Sequence, residues 1–229
     1  MAESRRPTDV GASVERGEGD LGVGRGSEAS RSDAFTLQSW RGAPKEREAD
    51  LRAIGQLRVA AWRTEGGTPS IAAVGDCWLD HHDEHAIHFL LRRGDVLAAA
   101  ARMCVHENLD EAPDAFALKT AQRTIPLPAA FFNRLVVEPA FRGQALSDIL
   151  DHRRLRVAEA LRIQCIVITT HAEHRVRKLA GMGFSNWGRA AYDYASSVGP
   201  TSIFVKLLGN VTDHRGKKVC DSGDETHNF

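Results

Sequence analysis

The stretch from Phe131 to Leu161, FFNRLVVEPAFRGQALSDILDHRRLRVAEAL, constrains this chain more than any other. It opens with an apolar run, Phe131 to Val137, rich in aromatic and β-branched residues, a composition suited to a strand. Pro139 has no backbone N–H to give to a sheet, so the strand stops near Glu138. A loop from Phe141 to Ala145 follows. Beyond it, apolar residues recur at Leu146, Ile149, Leu150, Val157 and Leu161, which is helix spacing with one buried stripe. Strand, tight loop and helix together make an anion trap. The first backbone N–H groups of a helix have no partner inside it and sit at the positive end of its dipole. Gly143 lets the loop approach a ligand closely, and Arg142 adds a positive charge, so a phosphate fits there. The same spacing also describes an ordinary β–loop–α connection, and spacing alone leaves both readings open.

The run Val137-x-Pro139-x-x-Arg142-Gly143-Gln144-Ala145-Leu146-Ser147 resembles the acyl-CoA signature of the GNAT acetyltransferase superfamily. That signature is Arg/Gln-x-x-Gly-x-Gly/Ala after a strand ending in Val-x-Pro. Arg142 stands at its first position; Ala145 replaces its first glycine and Ser147 its last small residue. The resemblance runs from about Leu51 to Leu208. It implies an α/β (α+β) fold, a mixed and mostly antiparallel central sheet with helices on both faces, splayed between two central parallel strands. It also implies that backbone groups of Leu135, Val136 and Val137 bracket the pantetheine arm of CoA. The loop of Arg142, Gly143, Gln144, Ala145, Leu146 and Ser147 then holds the pyrophosphate.

Two further segments are similar to a subset of that superfamily that includes N-acyl amino acid and acyl-homoserine-lactone synthases. One is Leu57-Arg58-x-x-x-Trp62-Arg63-x-Glu65, at the end of a helix expected over 48–65, whose Leu51, Ile54, Leu57, Arg58, Ala61 and Trp62 share a face. The other is Asp80-x-x-Asp83-x-x-Ala86-x-His88. Three acids and four histidines lie between Asp80 and His88, and His81 and His85 would share a helix face. An HExxH motif is absent and the stretch leads into a strand, so no metal site is expected. Asp83 and His88 are candidates to meet an amine acceptor; the alternative is that they pin the loop by hydrogen bonds. The glutamate and serine typical of the subset's central strand are replaced by Phe131 and Asn133.

The remaining elements follow from pattern. Gly94-Asp95 between Ile87–Arg92 and Val96–Val105 signals a hairpin. Residues 108–128 form a long polar connection, long enough to be functional. Gln164 to Thr170 reads as a buried strand parallel to its neighbour. A helix follows from His171 to Gly181, and residues 189–194 and 202–208 read as a final strand pair. Leu179 stands where many relatives place the tyrosine that protonates the leaving thiolate, and Ala172 stands near the place of an asparagine.

Residues 1–47 are rich in Gly, Ser, Arg and Glu, with one bulky apolar cluster at Phe35, Leu37 and Trp40. Such a segment buries too little surface to offset its ordering entropy. The expected organisation is a disordered N-terminal tail over 1–47, one acyltransferase domain over 48–208 and a flexible polar tail over 209–229. Lys+Arg and Asp+Glu are equal at 30 each, which argues against a nucleic-acid or anionic-membrane partner. The cysteines at 77, 104, 165 and 220 make no CxxC pair, so free thiols in a reducing, cytoplasmic compartment are expected. No apolar run reaches membrane-spanning length, and Arg5-Arg6 is not followed by the apolar segment of a signal peptide.

The resemblance implies transfer of an acetyl or other acyl group from acetyl-CoA or another acyl-CoA to an amine of a small molecule or amino acid, by direct attack. A monomer or homodimer is expected. Long-chain N-acyl synthesis, with acyl carrier protein as a further donor, and non-catalytic CoA binding are the alternatives. His171, at the end of a central strand, is the candidate base because imidazole titrates near neutrality; a local hydrogen-bonding role is the competing reading.

Overall fold

Seven extended runs pair into one twisted sheet. They are β1 (Phe35–Arg41), β2 (Ile87–Arg93), β3 (Val96–His106), β4 (Ala129–Val137), β5 (Cys165–Thr170), β6 (Ser185–Arg189) and β7 (Ser202–Leu207), in the order β1-β2-β3-β4-β5-β7-β6. The computed structural model describes residues 34–64, 75–113, 118, 123–190 and 200–209. Every neighbouring pair is antiparallel except β4 and β5. Among the described residues three α-helices cover the sheet: α1 (Glu48–Thr64), α2 (Leu146–Ala160) and α3 (Glu173–Gly181). No helix among the described residues is long and apolar enough to cross a membrane. The mixed sheet with its single central parallel pair is the architecture expected from the sequence.

The alanine run of β3 explains how helices approach both faces. Ala99 and Ala101 join a core cluster with Leu146, Leu150 and Ala158 of α2. Ala100 points the other way, into a cluster with Leu51, Ile54 and Leu57 of α1. Side chains one carbon long leave room for a helix on each side, and a strand buried on both faces needs no polar alternation.

Three expectations are corrected. Residues 35–41 are not tail: β1 pairs with β2 along its whole length, from Phe35↔Arg93 to Arg41↔Ile87. Phe35 and Leu37 pack on the main core, so the domain's sheet begins inside the segment assigned to disorder. The remainder of that segment up to 33, and residues 210–229, lie outside the described residues. β6 occupies 185–189 instead of 189–194, starting directly after Phe184; residues 191–199 also lie outside the described residues. The inward face of α2 is Leu146, Leu150, Asp151, Arg154 and Ala158, whereas Ile149 and Leu161 are exposed.

That face carries a buried ion cluster. Arg154, one turn beyond Leu150, ion-pairs with Asp151, and Arg175 of α3 ion-pairs with the same carboxylate and donates to its Oδ1 at 3.0 Å. Arg154 also donates to the carbonyl of Arg102 at 3.2 Å and lies 4.5 Å over the Phe132 ring. Asp151 thus ties α2 to α3 and, through Arg154, to β3 and β4. Burial pushes the Asp151 carboxyl up, but the two arginines outweigh it and hold it below the usual carboxylate range.

Removing Asp151 leaves two buried guanidinium groups with no counter-charge. Asp151→Ala is expected to cost about 3–5 kcal/mol at neutral pH, read from chemical-denaturant melts. Because the folded carboxyl titrates below its unfolded value, the contribution is present above about pH 4 and is lost as pH falls through the folded value. The stability gap between wild type and Asp151→Ala therefore narrows on acidification. A gap that stays constant or widens in acid would contradict this account.

Candidate functional site

The site begins where the two parallel strands part. β4 and β5 pair only over Ala129–Phe131 with Cys165–Val167, and beyond Phe131 β4 has no partner in β5 among the described residues. On its other edge β4 pairs with β3, but the register slips between Ala100↔Val136 and Arg102↔Asn133. Two residues of β4, Arg134 and Leu135, face the single Ala101, which is a β-bulge, and Arg134 adopts a left-handed φ of 52°. Leu135 and Val137 pack on the α2 side and Val136 on the α1 side. Their side chains are used in packing, and their backbone edge is left to the cleft.

The chain then closes onto α2. Glu138 donates its N–H to the carbonyl of Ala98 at 2.9 Å, and Pro139 starts a single 3-10 turn. Phe141 anchors that turn: it is buried, sits edge-on to Phe35 at 6.0 Å, and carries the Arg93 guanidinium at 4.6 Å. Gly143 has φ 80° and Ala145 has φ 55°, ψ 21°. Two left-handed residues in three turn the chain sharply into the helix. No side chain caps α2, and the first bonds back to the Ala145 carbonyl come from Asp148 at 2.9 Å and Ile149 at 3.3 Å. The peptide N–H groups of Leu146 and Ser147 precede that first turn's bonding and belong to the positive end of the helix. Lys178 of α3 reaches across to the Ser147 hydroxyl at 2.8 Å and ion-pairs with Asp148; desolvation lowers the Lys178 pKa.

A cavity of about 670 Å³ joins this loop to the turn of Asp80, His81 and His82. Arg142, Gly143, Ala145, Leu146 and Ser147 border one end, Leu135, Val136 and Val137 the middle, and Asp80, His81 and His82 the other. Of the predicted loop only Gln144 does not border it. His171 also borders the cavity, with its ring 6.3 Å from that of Trp62.

The far end is built on ion pairs. Arg58 of α1, almost wholly buried, donates both Nη atoms to Asp83 at 2.9 Å and also donates to the Trp78 carbonyl at 3.1 Å. Arg102 of β3 pairs with Asp80, lies 3.1 Å from Asp83 and donates to Asn133 Oδ1 at 2.8 Å. Arg134, turned out by the bulge, reaches Asp80 at 3.0 Å and stacks 3.8 Å over Trp78. Burial raises the carboxyls of Asp80 and Asp83. The Arg102 and Arg134 charges for the first, and the Arg58 hydrogen bonds with the Arg58 and Arg102 charges for the second, reverse that and hold both below the usual range.

Asp83 and His88 do not border the cavity, which corrects the expectation that they meet an acceptor. Asp83 is enclosed by Arg58 and Arg102. His88 is fully buried, with Nε2 2.9 Å from the Asp83 carbonyl and its ring against Trp40. They brace the turn from behind, and Asp80, His81 and His82 present its open side. Sequence reading missed Arg102 and Arg134. The signal for Arg102 was a lone arginine inside an apolar strand, which has to find a counter-charge. Leu179 is fully buried in the core and receives the Phe184 N–H at its carbonyl, so it offers no acid. Cys165 is likewise a core residue, its thiol pushed up by burial to about 12.

By sequence, no family model and no curated protein matches the chain. By structure it is similar to FeeM, an N-acyl amino acid synthase from uncultured soil microbes, at 17% identity and TM-score 0.50, covering 76% of this chain and 91% of that one. It is similar to the AHL synthase LasI at 13% identity and TM-score 0.54, covering 78% and 92%. It is also similar to a GNAT-family acetyltransferase from Listeria monocytogenes at 15% identity and TM-score 0.50, covering 75% and 95%. At these identities the likeness is one of architecture, and the parted parallel pair, the mostly antiparallel sheet and the flanking helices give this chain the GNAT fold.

Proposed function

We propose that this protein transfers an acyl group from a CoA thioester to the amine of a small molecule or amino acid. One observation carries the reading: the unpaired edge of β4, the bulge and the uncapped start of α2 all open into one cavity. In this reading the backbone of Leu135, Val136 and Val137 brackets the pantetheine arm, and its N–H groups lie where a thioester oxygen gains charge. The loop from Arg142 to Ser147, Gln144 included, takes the pyrophosphate on backbone N–H groups, aided by the charges of Arg142 and Lys178. Binding both reactants in one cavity supplies much of the rate by placement.

A second reading, a longer acyl donor carried by CoA or acyl carrier protein, is favoured by the Arg58–Asp83 and Asp80–Arg102–Arg134 pairs. They are built on Arg58, Asp80 and Asp83, which stand in the two segments similar to N-acyl amino acid and acyl-homoserine-lactone synthases. An excess of one guanidinium charge at that end suits an acceptor that carries a carboxylate.

Calorimetry with CoA, and thiol release from acetyl-CoA and decanoyl-CoA across a panel of amino acids and alkylamines, test the reading and its donor preference. CoA uptake without thiol release from any pair would identify a binding module instead. Arg142→Ala is expected to weaken CoA binding about tenfold, the effect of one charge-assisted contact; unchanged affinity would remove Arg142 from the site. Ala145 holds a left-handed conformation that costs an L-residue with a Cβ about 1–2 kcal/mol. Ala145→Gly is therefore expected to raise the melting temperature by about 2–4 °C without weakening CoA binding. A fall in either quantity would show that the Ala145 methyl has a role of its own.

A further inference from the structure

We propose that His82 is the general base of this transfer, taking the proton from the acceptor's ammonium; the assignment rests on the acyl-transfer reading above. The turn that carries His82 is fixed from both sides. Its peptide N–H donates to Asp80 Oδ1 at 3.1 Å, and its carbonyl accepts from His85 at 3.3 Å and Ala86 at 3.1 Å. A reciprocal pair of bonds between Asp80 and Asp83 closes the start of the same turn. The His82 ring is held by packing: it lies 3.9 Å from the His81 ring and 6.2 Å from that of His106, which meets it edge-on at 87°. Neither ring nitrogen of His82 is hydrogen-bonded among the described residues, and the residue borders the cavity beside Asp80 and Arg102.

The position matters because the strand supplies no base of its own. The start of β4 carries Phe131, Phe132 and Asn133, none of which accepts a proton at neutral pH. Phe131 instead backs the histidines, sitting edge-on to His106 at 5.8 Å. The proton acceptor is thereby placed on the adjoining turn.

The groups facing His82 are Asp80 and His81 from its own turn and Arg102 and His106 from β3. Burial, His81, Arg102 and His106 all disfavour the charged ring, and Asp80 alone favours it, so the His82 pKa lies below the ordinary histidine value. The ring is neutral at neutral pH and free to accept. In the reaction, the ammonium N–H bond breaks and its proton goes to a His82 ring nitrogen. The freed lone pair attacks the thioester carbonyl carbon, forming the C–N bond. The C–S bond breaks, CoA leaves as thiolate, and the second proton of the attacking nitrogen neutralises the sulfur. His82 then returns its proton to water, so amide, CoA thiol and one proton balance the ammonium and thioester consumed.

The test is thiol release by the full-length protein between about pH 5 and about pH 9, using whichever donor and amine of the panel above react fastest. Wild type is expected to gain rate through one ionisation below the ordinary histidine value, matching the His82 ring titration followed by NMR. His82→Gln is expected to lower kcat about 10²- to 10⁴-fold, to erase that ionisation and to leave calorimetric CoA affinity unchanged. Added imidazole restores part of the rate, and His171→Gln keeps the ionisation. The proposal is overturned if His82→Gln keeps both its rate and its ionisation, if the NMR and kinetic titrations disagree, or if the ionisation disappears with His171→Gln. Absence of thiol release by wild type overturns the acyl-transfer reading itself, and the base assignment with it.

Discussion

The whole arrangement depends on two parallel strands that stop pairing after three residues. Continued pairing would satisfy the outer edge of β4 with β5. Instead the edge from Phe132 to Val137 presents N–H and C=O groups to a cleft, and backbone polar groups in such a place need water or a ligand. The bulge at Arg134 interrupts the other edge as well. A segment loosened on both sides keeps its course only through what flanks it. Here those anchors are the Glu138–Ala98 bond, the buried Phe141 ring, and the packing of Leu135 and Val137 into one core and Val136 into another. The open backbone is thus held rigidly without being consumed by the sheet.

Buried charge is organised around the same gap. Moving an ion out of water costs several kcal/mol even after relaxation, and a pair recovers this only with good geometry and satisfied hydrogen bonds. Arg102 meets that condition by spending its donors on Asp80, Asp83 and Asn133. Arg58 meets it with a two-pronged contact to Asp83. Apolar packing would serve stability as well, so the reason for these ions lies in where they point. Asp83 is enclosed, and Asp80, shared by Arg102 and Arg134, borders the cavity together with both of them. Three guanidinium groups against two carboxylates give that end a positive excess, which disfavours an ammonium relative to a free amine.

The strand–loop–helix unit was legible in the sequence because its determinants are local: an apolar run, Pro139 as a stop, Gly143 for a turn and periodic residues after it. β1 was not legible, because its stability comes from the edge of β2, over forty residues away in a segment of strand-like composition, while its own segment averages to a polar tail. The inward face of α2 was misread because hydrophobic periodicity cannot register a charged pair that satisfies itself; Arg154 continues the Leu146–Leu150 row and brings Asp151 with it. The bulge was invisible for a stronger reason. Arginine disfavours a left-handed φ, so nothing at Arg134 announces it, and only the register imposed by β3 requires it. Asp83 was placed in the right turn but on its wrong side, and His88 belongs to β2 behind that turn, since spacing fixes which residues lie near each other and not which wall they line.

The departures from the acyl-CoA pattern become coherent at atomic level. Ala145 keeps the left-handed conformation that a glycine would hold more easily, so the geometry of the loop is retained at a local cost of about 1–2 kcal/mol. Leu179 sits among apolar neighbours, where a hydroxyl would lack a partner; under the proposed acyl transfer, the departing sulfur takes its proton from the attacking nitrogen. Phe131 presents an aromatic edge contact to His106, whose ring packs on that of His82, and His81 and His82 both border the cavity. Against the resembled pattern, Leu179 and Phe131 carry no acid or base, and Ala145 adds a methyl while keeping a left-handed turn. Under the proposed acyl transfer, these positions suit a site whose rate comes from placement and fixed dipoles, with proton transfer left to whichever neighbouring side chain the fold holds in reach.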